Sequence, residues 1–390
     1  MLKIACVCGA RPNFLKIAPI MDALAEEPRV RTLLIHTGQH YDARMSRVFF
    51  DELAIPMPEI NLEVGSDSHA VQTAEILRRF EPVCLEHRPD WVVVVGDVNS
   101  TLACALTAVK LGVKVAHVEA GLRSFDRDMP EEINRVVTDA VSDLLLVTEQ
   151  SGVENLRREG IANEKVRFVG NALIDTLLRC RARADESTIL STFGLAARQD
   201  YAVATLHRPS NVDDGVAFSS ILAALETIAS DMPVVFPLHP RSNGKLTSLG
   251  LTSIARGIAN LRLLGPLGYP DFVKLMSHAT VVLTDSGGIQ EETTILGVPC
   301  LTLRDNTERP VTITQGTNRL TGNRTDAILA AYREVRASPP RPNRMPDLWD
   351  GAAAKRIVEC LLAAAAGSTG RCRRSAGASA AVEPVSPVRS

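Results

Sequence analysis

The sequence has few aromatic residues and almost no net charge. Only 4% of its 390 residues are Phe, Trp or Tyr, and the formal net charge is −2 at pH 7. A chain that binds nucleic acid or an anionic membrane surface through electrostatics carries a clear excess of Lys and Arg. The nearly neutral balance therefore argues against both kinds of partner.

Several other features are absent. No apolar run reaches the roughly 20 residues of a membrane-spanning helix, and the N-terminal MLKIACVCGARP lacks the basic region and cleavage site of a secretory signal. The eight cysteines include no C-x-x-C pair and no histidine at zinc spacing, so we interpret them as reduced residues of a cytoplasmic protein. Neither a G-x-x-x-x-G-K-[ST] loop nor a G-x-G-x-x-G turn after a first strand supports ATP or nicotinamide binding.

Short runs rich in Val, Ile and Leu alternate with amphipathic stretches along the chain. This order predicts an α/β protein built from βαβ units with doubly wound parallel sheets. The pattern restarts after an irregular region at 181–199, so we predict two Rossmann-like domains with a hinge near 175–195 and a cleft between them. The predicted units are residues 1–175, residues 176–348, a helix at 349–366 that starts after Asp350 as its cap, and a disordered tail at 367–390.

Charged residues follow most of the predicted strands. In open parallel sheets the ligand lies beyond the carboxyl ends of the strands, so these side chains are expected to meet in the interdomain cleft. They are Arg11, Lys16, Asp97 and Glu119 in the first half and His207, Arg208, His239, Arg241 and the DSGG stretch in the second.

The stretch TDSGGIQEETTILG gives the clearest signal for phosphate. Ser286, Gly287 and Gly288 are predicted to lie where a strand turns into a helix, and the exposed amides of a helix N-terminus bind anions. Glycine also lets a ligand approach the backbone closely. One carboxylate of Glu291 or Glu292, early in the same helix, could accept hydrogen bonds from ribose hydroxyls.

The stretch HVEAGLRSFDRDMPEEINR concentrates carboxylates where a buried strand ends. Acid/base catalysis is one explanation. Purely structural ones stay open: Glu119 could pair with Arg123 at the strand end, Glu131 could be an ordinary partner of a helix dipole, and Asp97 could be a turn residue.

Eight motifs together carry a resemblance to a known family. They are GARPNFLKIAP, TGQHYD, GDVNSTLA, HVEAGLRSFDRDMPEEINR, VGNALIDTL, HRPSNVD, LTDSGGIQEE and LRDNTERP. In this order and spacing over residues 9–310, the chain resembles the non-hydrolysing UDP-N-acetylglucosamine 2-epimerases. The resemblance implies a GT-B-like pair of domains, with UDP mainly on the second, a C-terminal helix packed back on the first domain, and a homodimer.

The reaction implied by the resemblance interconverts UDP-GlcNAc and UDP-ManNAc for polysaccharide biosynthesis. UDP is eliminated to give 2-acetamidoglucal and then adds back, without a metal or another cofactor. The family's catalytic residues match Asp97, Glu119, Glu131 and His207. Its substrate-binding residues match Arg11 and Lys16 in the first domain, Phe272 for uracil, Ser286, Gly287 and Gly288 for phosphate, Glu292 for ribose, and Arg309.

The chain departs from the family at the site where many members are activated by their own substrate. Gln39 fits the pattern, but Asp42 stands where a second glutamine is usual and Glu75 where an arginine is usual, so we predict weak or no activation.

Three alternative functions stay open. They are carbon 2 epimerisation of a modified UDP-sugar such as a UDP-diacetamido-uronic acid, a hydrolysing epimerase, and a GT-B glycosyltransferase or silent nucleotide-sugar binder.

Overall fold

Parallel strands form two β-sheets in the computed structural model, which describes residues 1–38, 53, 55–195, 200–337 and 344–367, without the side chain of Arg11. The first sheet contains β1 (Leu2–Cys8), β2 (Val30–His36), β3 (Ile60–Asn61), β4 (Trp91–Val95), β5 (Lys114–Ala120), β6 (Leu144–Val147) and β7 (Val166–Phe168). The second contains β8 (Ala202–Thr205), β9 (Val234–Pro237), β10 (Leu261–Leu264), β11 (Val281–Thr284), β12 (Cys300–Thr302) and β13 (Asn318–Leu320).

Helices connect the strands and cover both sheets. Around the first sheet these are α1 (Arg11–Ala25), α2 (His69–His87), α3 (Asn99–Lys110), α4 (Pro130–Val141), α5 (Gln150–Arg158) and α6 (Ala172–Glu186). The later helices are α7 (Ile189–Thr192), α8 (Pro209–Val212), α9 (Gly215–Asp231), α10 (Pro240–Ser248), α11 (Thr252–Gly257), α12 (Tyr269–Ser277), α13 (Gly287–Leu296), α14 (Val311–Thr314), α15 (Thr325–Ala337) and α16 (Ala353–Gly367). Within the described ranges, no helix combines the length and apolar character needed to cross a membrane.

The strand orders confirm the predicted fold class. They run β3-β2-β1-β4-β5-β6-β7 in the first sheet and β10-β9-β8-β11-β12-β13 in the second, with parallel pairing throughout both. Both are doubly wound orders in which the direction of growth reverses beside the first strand of the sheet. Ligand crevices form at such reversals, which here lie next to β4 in the first sheet and next to β11 in the second.

The central strand β4 shows why these segments read as continuous apolar runs. Trp91 and Val93 belong to the hydrophobic cluster on one face of the first sheet, whereas Val92 and Val94 belong to the cluster on the opposite face. Alternate side chains of a strand point to opposite faces, so a strand covered by helices on both sides needs apolar residues at every position. Each fully buried valine contributes about 1.5–3 kcal/mol.

The region predicted to be irregular is largely helical, which corrects the expectation for 181–199. Helix α6 continues to Glu186 and α7 follows it. Leu177, Cys180 and Ala184 are buried at helical spacing, but the charged residues between them obscured the pattern. Residues 196–199 lie outside the described chain. The predicted division at residues 175/176 stays a prediction.

The C-terminal helix α16 packs against α1, as Ile357 and Leu361 join the same hydrophobic cluster as Ile17. Asp350, the predicted cap, accepts a hydrogen bond from the amide of Ala352 at 3.1 Å, just before the helix. The helix itself begins at Ala353, and its first amides donate to Asp175 of α6 instead. The Asp175 oxygens lie 3.2 Å from the Ala353 nitrogen and 2.7 Å from the Ala354 nitrogen. A buried carboxylate thus satisfies the amides that a helix start leaves without partners. Residues 368–390 of the predicted tail lie outside the described chain.

Candidate active site

Asp97 and Glu119 lie at the carboxyl edge of the first sheet, on two neighbouring strands. Asp97 lies two residues after the end of β4, and Glu119 is near the end of β5. The register of β5 shifts between Val118 and Ala120, and Glu119 has a left-handed φ of 71°. Such a conformation costs a non-glycine residue on the order of 1–3 kcal/mol and persists only where the surroundings fix it. This irregularity determines where the Glu119 carboxylate lies.

Glu119 links the two halves of the chain. Its side chain is buried, with Oε2 in an ion pair with Lys16 of α1 and Oε1 accepting a hydrogen bond from Nη2 of Arg309 at 3.0 Å. Arg309 lies between β12 and α14, and its Nε is also 2.8 Å from Oε1 of Glu291 in α13. The structure therefore brings together Lys16, Glu119 and Arg309, three of the residues predicted for the site.

Arg123 contacts Asp139 at 2.8 Å and Glu159 at 2.7 Å. The interpretation that Arg123 satisfies Glu119 is therefore wrong. Asp139 also lies 2.6 Å from Nδ1 of His117, whose Nε2 is 2.8 Å from the carbonyl oxygen of Gly96. This buried network ties α4 to β5 behind the cleft, and it supports the strand end that carries Glu119.

Asp97 pairs with an arginine that the sequence analysis did not single out. Arg135 of α4 donates to Oδ2 of Asp97 from Nε at 2.9 Å and from Nη2 at 2.7 Å. Burial disfavours the charged carboxylate, but the positive charges of Arg135, Lys16 and Arg309 outweigh it and hold the pKa of Asp97 below its ordinary value. Asp97 is therefore ionised at neutral pH, as a proton acceptor must be.

The first turn of α4 carries two glutamates in different surroundings. Glu132 is buried and accepts hydrogen bonds from the amides of Ser124 and Phe125, both at 2.9 Å, and from Arg135 at 2.6 Å. Glu131 is half-buried, and its side chain makes no hydrogen bond with the part of the chain that the structure describes. Glu132 thus fixes the loop before α4, which leaves the Glu131 carboxylate available for a ligand.

His207 follows β8 and is oriented by a carboxylate at the end of β11. Its Nδ1 lies 2.9 Å from Oδ1 of Asp285, and its ring centre is 5.7 Å from that of His239. Asp285 also accepts from the amides of His207 and Arg208, at 3.1 and 2.9 Å. Burial raises the pKa of Asp285, but His207 and these amides outweigh burial and lower it. An ionised, immobile carboxylate thus holds a partly exposed imidazole.

The predicted phosphate turn begins α13. Ser286 precedes the helix without capping it through its side chain, and Gly287 and Gly288 form its first turn. A Cβ atom on Gly287 would come within 2.8 Å of Oε1 of Glu308 and would also collide with the guanidinium of Arg309. The absence of a Cβ atom at Gly287 lets these two side chains lie directly against the turn.

The residues expected to hold the nucleoside lie on α12 and α13. The hydroxyl of Tyr269 donates to Oε1 of Glu292 at 2.7 Å. Phe272, one turn after Tyr269, is half-buried and packs against the second sheet's hydrophobic cluster. Arg11 begins α1, and its side chain lies outside the described residues.

Two further buried glutamates come from opposite halves of the chain. Glu149 follows β6, and Glu291 lies in α13; Oε2 of each is buried and has no hydrogen-bond partner among the described residues. Burial raises the pKa of Glu149 to about 7, with the Ser151 hydroxyl opposing and the negative charge of Glu291 adding to the effect. Burial also raises the pKa of Glu291, despite Arg309. Glu149 was missed, although it follows a strand just as Asp97 does.

Within the described residues, no group of three or more His, Cys, Asp or Glu side chains is arranged to hold a metal ion.

At the position where many family members are activated by their own substrate, Glu75 contacts Arg78 at 2.8 Å and Arg79 at 3.1 Å on the same helix. Gln39 and Asp42, the other two residues of that prediction, lie outside the described residues.

Comparison with known proteins gives a consistent match. The family model described as UDP-N-acetylglucosamine 2-epimerase matches residues 22–362. The chain is 41% identical over 364 residues to the UDP-N-acetylglucosamine 2-epimerase of Methanocaldococcus jannaschii, covering 92% of this chain and 99% of that one. It is 42% identical over 335 residues to the UDP-2,3-diacetamido-2,3-dideoxy-D-glucuronate 2-epimerase of Pseudomonas aeruginosa, with 85% and 92% covered. The crystal structure of the Methanocaldococcus jannaschii enzyme with UDP-GlcNAc and UDP superimposes with a TM-score of 0.88 at 40% identity, covering 93% and 100% of the two chains.

Proposed function

Because the chain belongs to the UDP-N-acetylglucosamine 2-epimerase family, we propose that it interconverts UDP-GlcNAc and UDP-ManNAc by inverting carbon 2 of the sugar. The observation that carries this proposal is the position of Glu119. This buried carboxylate lies between Lys16 and Arg309, and Arg309 lies against the glycine turn of α13. A proton-transfer group thus adjoins a site built for phosphate, as the reaction requires.

The chemistry explains why these two parts must be neighbours. The hydrogen on carbon 2 is not next to a carbonyl, so its direct removal would leave an unstabilised carbanion. In the proposed elimination, a base takes the proton, the C–H electrons form the carbon 1–carbon 2 double bond, and the bond from carbon 1 to the diphosphate breaks. The 2-acetamidoglucal then receives a proton on the other face of carbon 2, and UDP adds back to carbon 1.

Three carboxylates are proposed to move the proton. Removal and return occur on opposite faces of the sugar ring, so acid/base groups are needed on both sides. Asp97 and Glu119 come from neighbouring strands, whereas Glu131 comes from the start of α4. The ionised state of Asp97 and the absence of a hydrogen-bond partner for Glu131 among the described residues support these roles.

The departing UDP acquires negative charge, which the second half of the site is proposed to stabilise. Preorganised donors and cations are most effective where such charge develops. The amides at Ser286, Gly287 and Gly288, the guanidinium of Arg309 and the imidazole of His207 would contact the diphosphate. Phe272 would pack on uracil, Glu292 would accept from ribose, and Arg11 and Lys16 would approach the nucleotide-sugar from the first domain.

Hydrogen exchange at carbon 2 tests this function directly. UDP-GlcNAc incubated with the protein in heavy water should acquire deuterium at carbon 2, and UDP-ManNAc should accumulate as a second product. A hydrolysing epimerase would consume the UDP-sugar irreversibly and release ManNAc. A glycosyltransferase or a silent binder would leave the carbon 2 hydrogen in place. Either result would contradict the proposal.

A second candidate substrate is a UDP-diacetamido-uronic acid. The chain is 42% identical to the Pseudomonas aeruginosa enzyme and 41% identical to the Methanocaldococcus jannaschii enzyme. Sequence identity therefore favours the uronic acid substrate as much as it favours UDP-GlcNAc. Parallel measurement of kcat/KM for both UDP-sugars, with mass spectrometry of the equilibrium mixtures, separates the two. If the protein converted only the UDP-diacetamido-uronic acid, the proposed chemistry at carbon 2 would stand and UDP-GlcNAc would not be the substrate.

The homodimer implied by the family resemblance, the cytoplasmic location and a role in supplying cell-surface polysaccharides also belong to the proposal. The reduced state inferred for the cysteines supports the location, because Cys6, Cys8, Cys84, Cys104 and Cys300 are buried free thiols in the described chain. Light scattering coupled to size-exclusion chromatography would test the dimer, and cell fractionation would test the location.

A further inference from the structure

Four arginines surround the carboxylate of Glu308, a residue that follows β12 and is only 1% exposed. Arg309 donates to its Oε1 from Nη1, and Arg304 donates to its Oε2 from Nη2 at 2.8 Å. Arg208 and Arg135 approach Oε1 with their Nη2 atoms at 3.7 and 3.9 Å. These cations come from both halves of the chain, and among the described carboxylates Glu308 is the one that all four approach within 4 Å.

The same carboxylate lies at the glycine turn of α13. Its Oε1 would be 2.8 Å from a Cβ atom added to Gly287, so the carboxylate is in van der Waals contact with the first turn of that helix. The positive end of the helix dipole stabilises an anion at this position. Glu308 therefore occupies the location in front of Gly287 where the proposed function places a phosphate group.

A single carboxylate does not saturate the surrounding donors. Nη2 of Arg208 is too far from Oε1 for a hydrogen bond, and Nη1 of Arg304 is buried without a hydrogen-bond partner among the described residues. Arg135 differs, because its donors are taken by Asp97 and Glu132. A diphosphate carries more charge and more acceptor oxygens than a carboxylate, and guanidinium groups bind phosphate through paired hydrogen bonds. Arg208 and Arg304 thus retain donors that a diphosphate could use and that Glu308 leaves unpaired.

We propose that Glu308 is an internal anion that holds the diphosphate position before the nucleotide-sugar binds and that the substrate's diphosphate displaces it. This inference rests on the proposed function. Without Glu308, the repulsion among these four arginines, three of them buried, would increase, so the carboxylate keeps them positioned for the ligand. Arg135 also donates to Asp97. Replacement of Glu308 by the diphosphate would therefore change the charge near Asp97, a carboxylate of the proposed acid/base set.

Glu308→Gln tests the displacement. The amide has nearly the size of the carboxylate but no negative charge, so it competes less for the arginines. The Kd for UDP, measured by titration calorimetry, should fall about tenfold or more, and KM for UDP-GlcNAc should fall with it. Glu334→Gln is the matched control, because Glu334 is an exposed residue that contacts Arg319; its UDP affinity should equal that of the original protein.

An unchanged or weaker affinity of Glu308→Gln for UDP would overturn the proposal and make Glu308 a fixed support for the arginines. Should this variant fail to fold, a crystal structure of the original protein with UDP decides the question. The β-phosphate should then lie at Gly287 and contact Arg309, with the Glu308 carboxylate moved away. Retention of the contact between Glu308 and Arg309 beside bound UDP would overturn the proposal. If the original protein neither binds UDP nor exchanges the carbon 2 hydrogen, the proposed function itself fails.

Discussion

Oδ1 of Asp285 lies 2.9 Å from Nδ1 of His207, and the Asp285 side chain is completely buried while His207 is 38% exposed. Two backbone amides and the side chain of Asn211 hold the carboxylate. A fixed, ionised carboxylate sets the orientation of an imidazole and accepts a hydrogen bond from its Nδ1 atom. Nε2 of His207 is thus the ring nitrogen that does not contact Asp285.

Asp285→Asn should lower kcat for the epimerisation by about 100-fold or more, because the neutral amide no longer fixes the ring of His207 through its Nδ1 atom. KM for UDP-GlcNAc should change little, a separation of kcat from KM that a general loss of packing would not produce. Steady-state assays measure both kinetic constants. Asp200→Asn, at an exposed aspartate that contacts Arg336 at 2.8 Å, is the control and should retain full activity. An unchanged kcat, or a loss confined to KM, would contradict the positioning role.

Glu119→Gln should abolish deuterium incorporation at carbon 2 while UDP still binds. The glutamine cannot accept the proton, although its oxygen can still accept a hydrogen bond from Arg309. We expect the exchange rate to fall by about 10³-fold or more and the Kd for UDP to change by less than about tenfold. Proton NMR of the sugar in heavy water and titration calorimetry measure the two quantities.

Glu131→Gln should also lose deuterium exchange at carbon 2 while it still binds UDP. Glu119→Gln removes the negative partner of two buried cations, Lys16 and Arg309, whereas Glu131 has no such partner among the described residues. Thermal unfolding should therefore report a loss of stability only for Glu119→Gln. Full exchange by either variant would show that its carboxylate is not part of the proton transfer.

Gly287→Ala should weaken UDP binding, because the added methyl group would displace Arg309 and Glu308 from the turn. We expect the Kd for UDP to rise about tenfold or more. Gly244→Ala is the matched control. Gly244 lies within α10 with nothing close to an added Cβ atom, so alanine there should raise the free energy of unfolding by about 0.5–1 kcal/mol without changing UDP affinity. Unaltered UDP affinity in Gly287→Ala would contradict the close packing.

Several parts of the fold were predictable because they depend on local periodicity. The apolar strands, the helix that follows the DSGG stretch and the carboxyl-edge location of Asp97 and Glu119 all follow from patterns within a few residues. The start of α16 was not predictable in this way. Its amides are satisfied by Asp175, which lies 178 residues from Ala353 in the chain, and no local pattern records such a distant partner.

The same distinction explains what was missed in the site. The aspartate of the DSGG stretch was visible, but nothing in the spacing indicated that Asp285 contacts a histidine 78 residues earlier. The pairing of Arg135 with Asp97 and the gathering of arginines at Glu308 also join separate segments. Their positions depend on how the two sheets pack, whereas sequence patterns show only that each residue ends a strand or begins a helix.

Glu149→Gln should remove a pH dependence of stability. The pKa of Glu149 is about 7 in the folded protein against 4.5 for an exposed glutamate, so the folded state binds its proton more tightly than the unfolded state. Stability from this group is therefore fully present below about pH 4.5 and is lost as pH rises to about 7; each pKa unit corresponds to about 1.4 kcal/mol, so the loss is about 3 kcal/mol.

The glutamine mimics the protonated acid and cannot lose a proton, so its stability relative to the original protein should increase with pH. Denaturant unfolding at pH 5, 6, 7 and 8 measures the difference, which should grow across this range and level off above pH 7. Glu164→Gln, at an exposed position in the turn before β7, should give a constant difference. If the free energies of unfolding of Glu149→Gln and of the original protein changed with pH in parallel, Glu149 would ionise at an ordinary pKa. Water would then reach its carboxylate between the two sheets.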